Sequence, residues 1–354
     1  MTGELDPALN EPVTALSPLS SKSNHLALVG GLPCSATYFA AELCRDLLSR
    51  KYGACEVIPL NDLGEATLEK IASASHPIMF LSEVPDAAVA EAIGRFDFPV
   101  LIIDQSFSEA SLDFIAARDA KLLDTVRTMA RAQIGLDALL DIPRSELLAA
   151  NHREPVSALA GRIAAICNVD PAMCQAMIDE RDLHRPLRDV LASHFNYERQ
   201  QPSAEVTELL CRLDRFYSFH SERRDPAWHL PLELLIEAAP PYLPATHPFD
   251  LLGPARCLSI GPYLHLPRGD WKSVLTFSSS DNRSTNVIGF DVTADEQIKL
   301  EENFEIEVDG KFSIEFRFKI DDPYYPFEFR SHLRRGSIEG GLKLHSLALE
   351  RYSQ

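Results

Sequence analysis

From Asn24 onward, short apolar runs alternate with longer stretches in which apolar residues recur at helical spacing. The succession is His25–Val29, Thr37–Ser49, Cys55–Leu60, Leu68–Ala74, Pro77–Leu81, Ala87–Ile93 and Pro99–Ile103. Strand and helix in strict alternation predict a parallel α/β sheet. Val100-Leu101-Ile102-Ile103, between Pro99 and Asp104, is apolar without interruption, the character of a strand covered on both faces, and belongs in the sheet's centre. From Ser108 to about Phe219 the pattern turns almost wholly helical, with Leu112, Ile115 and Ala116, then Leu122, Leu123, Val126, Met129 and Ala130, at steps of three and four. Further helices are expected over Pro155–Cys167, Pro171–Glu180, Leu187–His194 and Ala204–Phe219, packing on the sheet or extending it as a cap.

After Ala255 the period changes from that of a helix to that of a strand. In Lys311–Ile320, Phe312, Ile314, Phe316, Phe318 and Ile320 alternate with Ser313, Glu315, Arg317 and Lys319, so one face is core and the other is wet. Turn residues at Arg268-Gly269-Asp270, Asp281-Asn282, Asp309-Gly310, Asp321-Asp322-Pro323 and Gly340-Gly341 separate such runs, which predicts a β-sandwich or jelly roll. Between the two regions stand Pro226, Pro231, Pro240, Pro241, Pro244, Pro248 and Pro254, a density that excludes long helix and suits a stiff spacer. The expected organisation is a flexible leader over 1–23, an α/β and helical domain over 24–222, a Pro-rich linker over 223–254 and a β-sandwich over 255–354.

Composition narrows the function. The 354 residues carry a formal net charge of −18, which opposes non-specific attraction to nucleic acid or an anionic membrane. Residues 254–354 hold 16 acids and 13 bases, so most of the excess negative charge lies in the first two thirds of the chain. No apolar run approaches the ~20 residues of a membrane helix. The N-terminus carries Glu4, Asp6 and Glu11 before its first basic residue, Lys22, unlike a secretory signal. The seven cysteines, Cys34, Cys44, Cys55, Cys167, Cys174, Cys211 and Cys257, form no C-x-x-C pair, as expected of reduced thiols in a cytoplasmic protein with no Cys/His zinc site. His184, His194, His220, His229 and His247 show no metalloprotease spacing and read as scattered surface residues.

The chemistry-bearing segment of the first region is Gly30-Gly31-Leu32-Pro33-Cys34-Ser35-Ala36-Thr37, a glycine-bearing loop between a strand and a helix. Unpaired N–H groups at such a helix start could hold a phosphate together with the hydroxyls of Ser35 and Thr37. The plainer reading is that the glycines permit a tight turn and a hydroxyl caps the helix. The G-x-x-x-x-G-K-[ST] pattern is not met, because Ala36 stands five residues after Gly31 and no lysine follows. A helix start can also lower a thiol's pKa, which makes Cys34 a candidate nucleophile, although no His lies near it in sequence.

Gly31, Pro33, Ser35 and Thr37 resemble the G-x-P-R-S-G-T loop of the sulfotransferase family. That resemblance, over about half the chain, implies a P-loop-like α/β fold around 3′-phosphoadenosine 5′-phosphosulfate, with Gly31, Cys34, Ser35, Ala36, Thr37 and Ser106 as the cofactor-binding positions. Cys34 stands where the family has a basic residue and Ala36 where it has glycine. The segment after the central strand, Asp104-Gln105-Ser106-Phe107-Ser108, offers serines but no arginine, and Asp104 would repel a phosphate. The expectation is a degenerate sulfotransferase-like domain whose donor binding is lost or altered.

In the β region, Gly261-Pro262-Tyr263-Leu264-His265-Leu266-Pro267-Arg268-Gly269-Asp270-Trp271 and the later Asp321–Arg330 segment resemble sandwich modules of bacterial surface-polysaccharide proteins, which are similar to carbohydrate-binding modules. Sugar recognition needs aromatic faces beside hydrogen-bonding groups, which Tyr263, His265, Trp271, Tyr324 and Tyr325 supply. Tyr263 and Trp271 could equally fill the core. Tyr324 and Tyr325, flanked by Pro323 and Pro326, fit a core less well.

The function these features imply is a cytoplasmic accessory protein in bacterial surface-polysaccharide biosynthesis. It would bind a glycan or a glycan-handling enzyme through the sandwich, with little or no catalysis. An active sulfo-group transferase acting on a sugar, with a general base that the sequence does not identify, and a protein-docking scaffold are the alternatives.

Overall fold

The computed structural model describes residues 25–95, 97–195, 202–218, 227–283 and 285–352. The leader expected over 1–23, together with Phe219, His220 and residues 223–226 at the start of the Pro-rich segment, lies outside them. The chain divides into two compact units, residues 1–119 with 135–201, and residues 120–134 with 202–354.

The first unit is built on five parallel strands: β1 (His25–Gly31), β2 (Glu56–Pro59), β3 (Ile78–Ser82), β4 (Val100–Asp104) and β5 (Ser145–Ala149), in the order β2-β3-β1-β4-β5. The helices between them are α1 (Ser35–Tyr52), α2 (Glu65–Ser73), α3 (Ala87–Ile93), α4 (Phe107–Arg118) and α5 (Leu122–Leu140), of which residues 135–140 belong here. After β5 come α6 (Val156–Ile166), α7 (Pro171–Glu180) and α8 (Leu187–Phe195). Every residue from Val100 to Ile103 is buried, as their unbroken apolar run requires of a strand flanked by β1 and β5. Leu28, Phe39, Leu43, Phe80 and Phe107 are fully buried around the sheet. Each contributes about 1.5–3 kcal/mol by leaving water.

The sequence pattern missed β5. Ser145-Glu146-Leu147-Leu148-Ala149 consists mostly of good helix formers and sits at the sheet's edge, where only Leu148 is buried, so neither propensity nor period marks it as a strand.

The second unit is a β-sandwich. One sheet has the order β13 (Gln297–Ile306), β12 (Asn286–Ala294), β15 (Phe327–Leu333), β9 (Arg256–Ile260), β7 (Ile236–Glu237), with β10 (Pro262–Leu264) also on β15. The other has the order β14 (Gly310–Ile320), β11 (Gly269–Ser280), β16 (Gly341–Tyr352), β6 (Ala227–Leu230), with β8 (Phe249–Asp250) also on β16. All these pairings are antiparallel. The expected alternation in β14 holds, with Phe316, Phe318 and Ile320 buried and Ser313, Glu315, Arg317 and Lys319 exposed. Phe277 and Phe316 meet Phe290 at ring-centroid distances of 5.2 and 6.2 Å, and Phe318 stacks on Phe327 at 5.4 Å, which closes the core between the sheets.

The Pro-rich segment is not a spacer where it is described. Its described residues supply β6, β7 and β8, and Pro231, Pro240, Pro241, Pro244 and Pro248 fall between these short strands, where no ladder N–H is needed. Residues 202–218, including α9 (Ala204–Asp214), belong to this unit and not to the helical continuation of the first. Phe216, just past α9, stacks on Trp228 at 4.3 Å and lies 5.9 Å from Trp271.

Candidate functional site

Of the two places singled out in the sequence, the β1–α1 loop is closed upon itself. Leu32, Cys34, Ser35, Ala36 and Thr37 are all buried. Gly31 does not adopt a left-handed conformation. It is small because Thr37 packs against it, and a Cβ there would collide with the threonine side chain. The Thr37 hydroxyl donates to the Leu32 carbonyl at 2.7 Å, which pins the loop. Ala36, at the position of the resembled loop's second glycine, is 1% exposed.

The start of α1 has no cap from its own Cys34. Instead the buried carboxylate of Asp113, on α4, accepts the Ser35 backbone N–H at 2.5 Å and the Ser35 hydroxyl at the same Oδ2. A carboxylate at a helix N-terminus satisfies orphan donors and the dipole as a phosphate would. Ser35, one of the positions that the resemblance assigns to the donor, therefore already faces an internal carboxylate, and a phosphate there would meet its charge.

The other expected members have structural partners as well. The Cys34 thiol donates to Gln105 Oε1 at 2.7 Å, and the Gln105 amide nitrogen lies 3.1 Å from His152 Nε2. Burial pushes the Cys34 thiol up to about 12, against smaller opposing hydrogen bonds from Thr37, so it is a protonated thiol and not a nucleophile. Ser106 caps α4 by accepting the Glu109 N–H at 3.2 Å.

The five sandwich positions do not form one cluster of equals. Trp271 is 1% exposed, lies near Phe216 and donates its indole N–H to the Pro267 carbonyl at 3.0 Å, so it offers no face to a sugar and is core. His265 is also buried. Its Nδ1 lies 3.0 Å from the Pro323 carbonyl, to which it donates, and burial lowers its pKa. It positions the Asp321–Pro326 turn instead of meeting a ligand. Tyr263, at φ +61, is partly exposed, with the Arg127 guanidinium over its ring at 4.6 Å. Burial and the neighbouring Glu328 carboxylate raise its hydroxyl to about 12.

Tyr324 and Tyr325 remain at the surface, Tyr324 half-buried and Tyr325 39% exposed. Their turn is tied down from several sides. The Asp295 carboxylate accepts the Asp321 and Asp322 N–H groups at 3.2 and 3.1 Å, and Asp322 Oδ1 accepts the Tyr324 N–H at 2.9 Å. Lys299 in turn holds Asp295 at 2.7 Å. The result is an exposed aromatic on a backbone with little freedom left to lose on binding.

Three residues beyond Tyr325 begins a feature that the sequence reading did not single out. Along β15, Phe327, Phe329, Ser331 and Leu333 face the core, whereas Glu328, Arg330, His332 and then Arg334 line the opposite face. Asp291, on β12, has a side chain only 3% exposed and lies among them, 2.5 Å from Arg330 Nε, 2.8 Å from His332 Nε2 and 3.6 Å from Arg334 Nη2. The His332 contact has the distance of an ion pair without hydrogen-bond alignment. Burial alone would raise Asp291, but His332 and Arg330 outweigh it and hold the carboxyl below its usual range. Arg334 also pairs with Glu301 at 2.7 Å and lies across Gly289, where any Cβ would strike it or Asn303. The signal was present in Phe327-Glu328-Phe329-Arg330-Ser331-His332-Leu333-Arg334, whose period of two puts its charged residues on one face.

Among the described residues no group of three or more His, Cys, Asp or Glu is placed to hold a metal ion, and no helix is long and apolar enough to cross a membrane.

No family model matches this chain, and no curated protein matches it. Solved structures resemble its β-sandwich part. TmCBM61, in complex with β-1,4-galactotriose, is 15% identical over 30% of this chain and 69% of its own, with a TM-score of 0.23. The xylan-binding module CBM15 is 9% identical over 36% of this chain and 97% of its own, with a TM-score of 0.25. The insecticidal δ-endotoxin Cry8Ea1 from Bacillus thuringiensis is 11% identical over 30% of this chain and 19% of its own, with a TM-score of 0.21.

Proposed function

We propose that the C-terminal sandwich binds a glycan on the surface that runs from the Tyr324-Tyr325 turn, past Tyr263, onto the row Glu328, Arg330, His332 and Arg334. The observation that carries this reading is the held turn. Asp295, Asp322 and His265 fix the backbone of Asp321–Pro326, while Tyr325 stays exposed three residues before the row of polar side chains that starts at Glu328. A pyranose ring has an apolar face and a polar rim, and needs an aromatic and fixed hydrogen-bonding groups side by side.

On this reading the protein is an accessory factor in making or modifying a bacterial surface polysaccharide, working in the cytoplasm and delivering the glycan or docking on the enzyme that handles it. The first unit serves as scaffold, supported by Asp113 at the start of α1 and the protonated Cys34 thiol. Affinity electrophoresis of the full chain through gels cast with soluble polysaccharides tests the proposal. A glycan that retards the protein is expected, with retardation lost in Tyr325→Ala while folding is kept. Unchanged retardation in that variant would remove the turn from the site, and no retardation by any glycan would overturn the reading.

A further inference from the structure

Apart from the surfaces discussed above, the first unit holds a pair of cysteines 123 residues apart whose sulfurs lie 3.9 Å from each other: Cys44, in the middle of α1, and Cys167, which follows the last residue of α6. Both are buried, but not equally, since Cys44 is 0% and Cys167 7% exposed. A disulfide needs its sulfurs at about 2.05 Å, so closure requires a movement of about 2 Å shared between two side chains.

Their surroundings also divide the roles. Lys51, the penultimate residue of α1, donates its ammonium to the Cys167 carbonyl at 3.2 Å and to the Asn168 carbonyl at 2.8 Å, which places a fixed positive charge beside Cys167. The hydrogen bond with Cys44 lowers the Cys167 thiol below its usual value, Lys51 adds to this, and burial opposes both. Cys44 is pushed well above its usual value, first by Cys167 and then by burial. Cys167 is therefore the sulfur with the positive charge at hand and the slight access, and Cys44 is the more deeply buried of the two. No other pair of cysteine sulfurs lies within hydrogen-bond range among the described residues: Cys55, half-buried, is raised to about 11, chiefly by burial, and Cys211 lies exposed on α9 in the other unit.

We propose that Cys44 and Cys167 form a reversible disulfide when the protein meets a hydroperoxide, with Cys167 as the attacking sulfur and Cys44 as the resolving one. The Cys167 thiolate attacks the O–O bond of hydrogen peroxide, the oxygen it bonds becoming a sulfenic acid while the other leaves as hydroxide and takes up a proton to become water. The Cys44 sulfur then displaces the sulfenic hydroxyl, which leaves with the Cys44 thiol proton as a second water. Two thiols and one peroxide give one disulfide and two waters, the peroxide being reduced and the sulfurs oxidised. The link ties α1 to the end of α6 and is independent of the glycan-binding proposal.

The test uses the native full chain. It is exposed to submillimolar hydrogen peroxide, quenched, alkylated under denaturing conditions, digested and mapped by mass spectrometry. The expected product is a Cys44–Cys167 peptide pair two hydrogens lighter than the sum of its thiols, restored by dithiothreitol. Its formation should precede any link involving Cys55, Cys174 or Cys211. In Cys44→Ser the resolving sulfur is gone, and Cys167 should be trapped by dimedone as a sulfenic acid. Recovery of both cysteines as alkylated thiols, their direct passage to sulfinic acids without a link, or a scrambled set of pairs in the wild-type chain would each overturn the proposal, whether or not the variant folds.

Discussion

Replacing Asp113 by alanine removes the acceptor of both the Ser35 N–H and the Ser35 hydroxyl. The site is closed to water, with Asp113 5% and Ser35 4% exposed, so neither donor regains a solvent partner without local opening. A hydrogen bond to a charged acceptor contributes about 1.5–3 kcal/mol. A carboxylate at a partly buried helix N-terminus contributes up to about 2 kcal/mol, and the two contributions overlap. The expected loss is therefore about 2–4 kcal/mol for Asp113→Ala and about half that for Asp113→Asn, which keeps the volume and one carbonyl acceptor. Both tryptophans, Trp228 and Trp271, lie in the sandwich unit, so fluorescence follows that unit while far-UV circular dichroism follows the helical one. Urea titration read by dichroism should show the loss. A helical transition that stays within about 0.5 kcal/mol of wild type would refute the assignment of Asp113 as the internal anion of the loop. By the same reasoning, 3′-phosphoadenosine 5′-phosphate should give no saturable heat with the wild-type chain in calorimetry, and micromolar binding would show that a phosphate displaces the carboxylate.

Other consequences are as direct. Trp271→Ala should destabilise the sandwich by about 3–5 kcal/mol, as expected for emptying a core aromatic site, with its fluorescence transition moving to lower urea. Native alkylation with iodoacetamide at pH 8 should label the exposed Cys211 and leave Cys34 unmodified, since the latter's thiol is buried and raised to about 12. His265 has a folded pKa below its unfolded value because burial disfavours the imidazolium. The unfolded chain therefore binds the extra proton first, and sandwich stability falls as pH drops below about 6.5. His265→Gln should flatten that slope in urea midpoints measured between about pH 5 and 7, and an unchanged slope would show that another group titrates.

How much of this was legible beforehand depends on the range of the interaction. The strands from His25 to Ile103 and the alternation in β14 declare themselves because each side chain's fate is set by its own strand's period. The edge strand Ser145–Ala149 does not, because helix-forming residues were drafted into a sheet whose neighbour β4 supplies the pairing. The glycine loop was visible as a loop, but its meaning hung on Asp113, 78 residues away from Ser35, and no local pattern carries that. The prolines between Trp228 and Pro254 signalled the absence of a long helix correctly and the presence of a linker wrongly, since proline is as compatible with short edge strands as with spacers. Tyr325 could be picked out between its prolines. Asp291 could not, because its burial and its cationic neighbours come from pairing β12 with β15.

The most direct test of the central claim is the binding of the full chain to soluble polysaccharides, neutral and acidic, compared with Tyr325→Ala and with Arg330→Ala. The account predicts retardation by at least one glycan, reduced tenfold or more by Tyr325→Ala and weakened by Arg330→Ala, with the Trp fluorescence unfolding curve of Tyr325→Ala unchanged. A wild-type chain that no glycan retards, or one retarded equally after both substitutions, would contradict it.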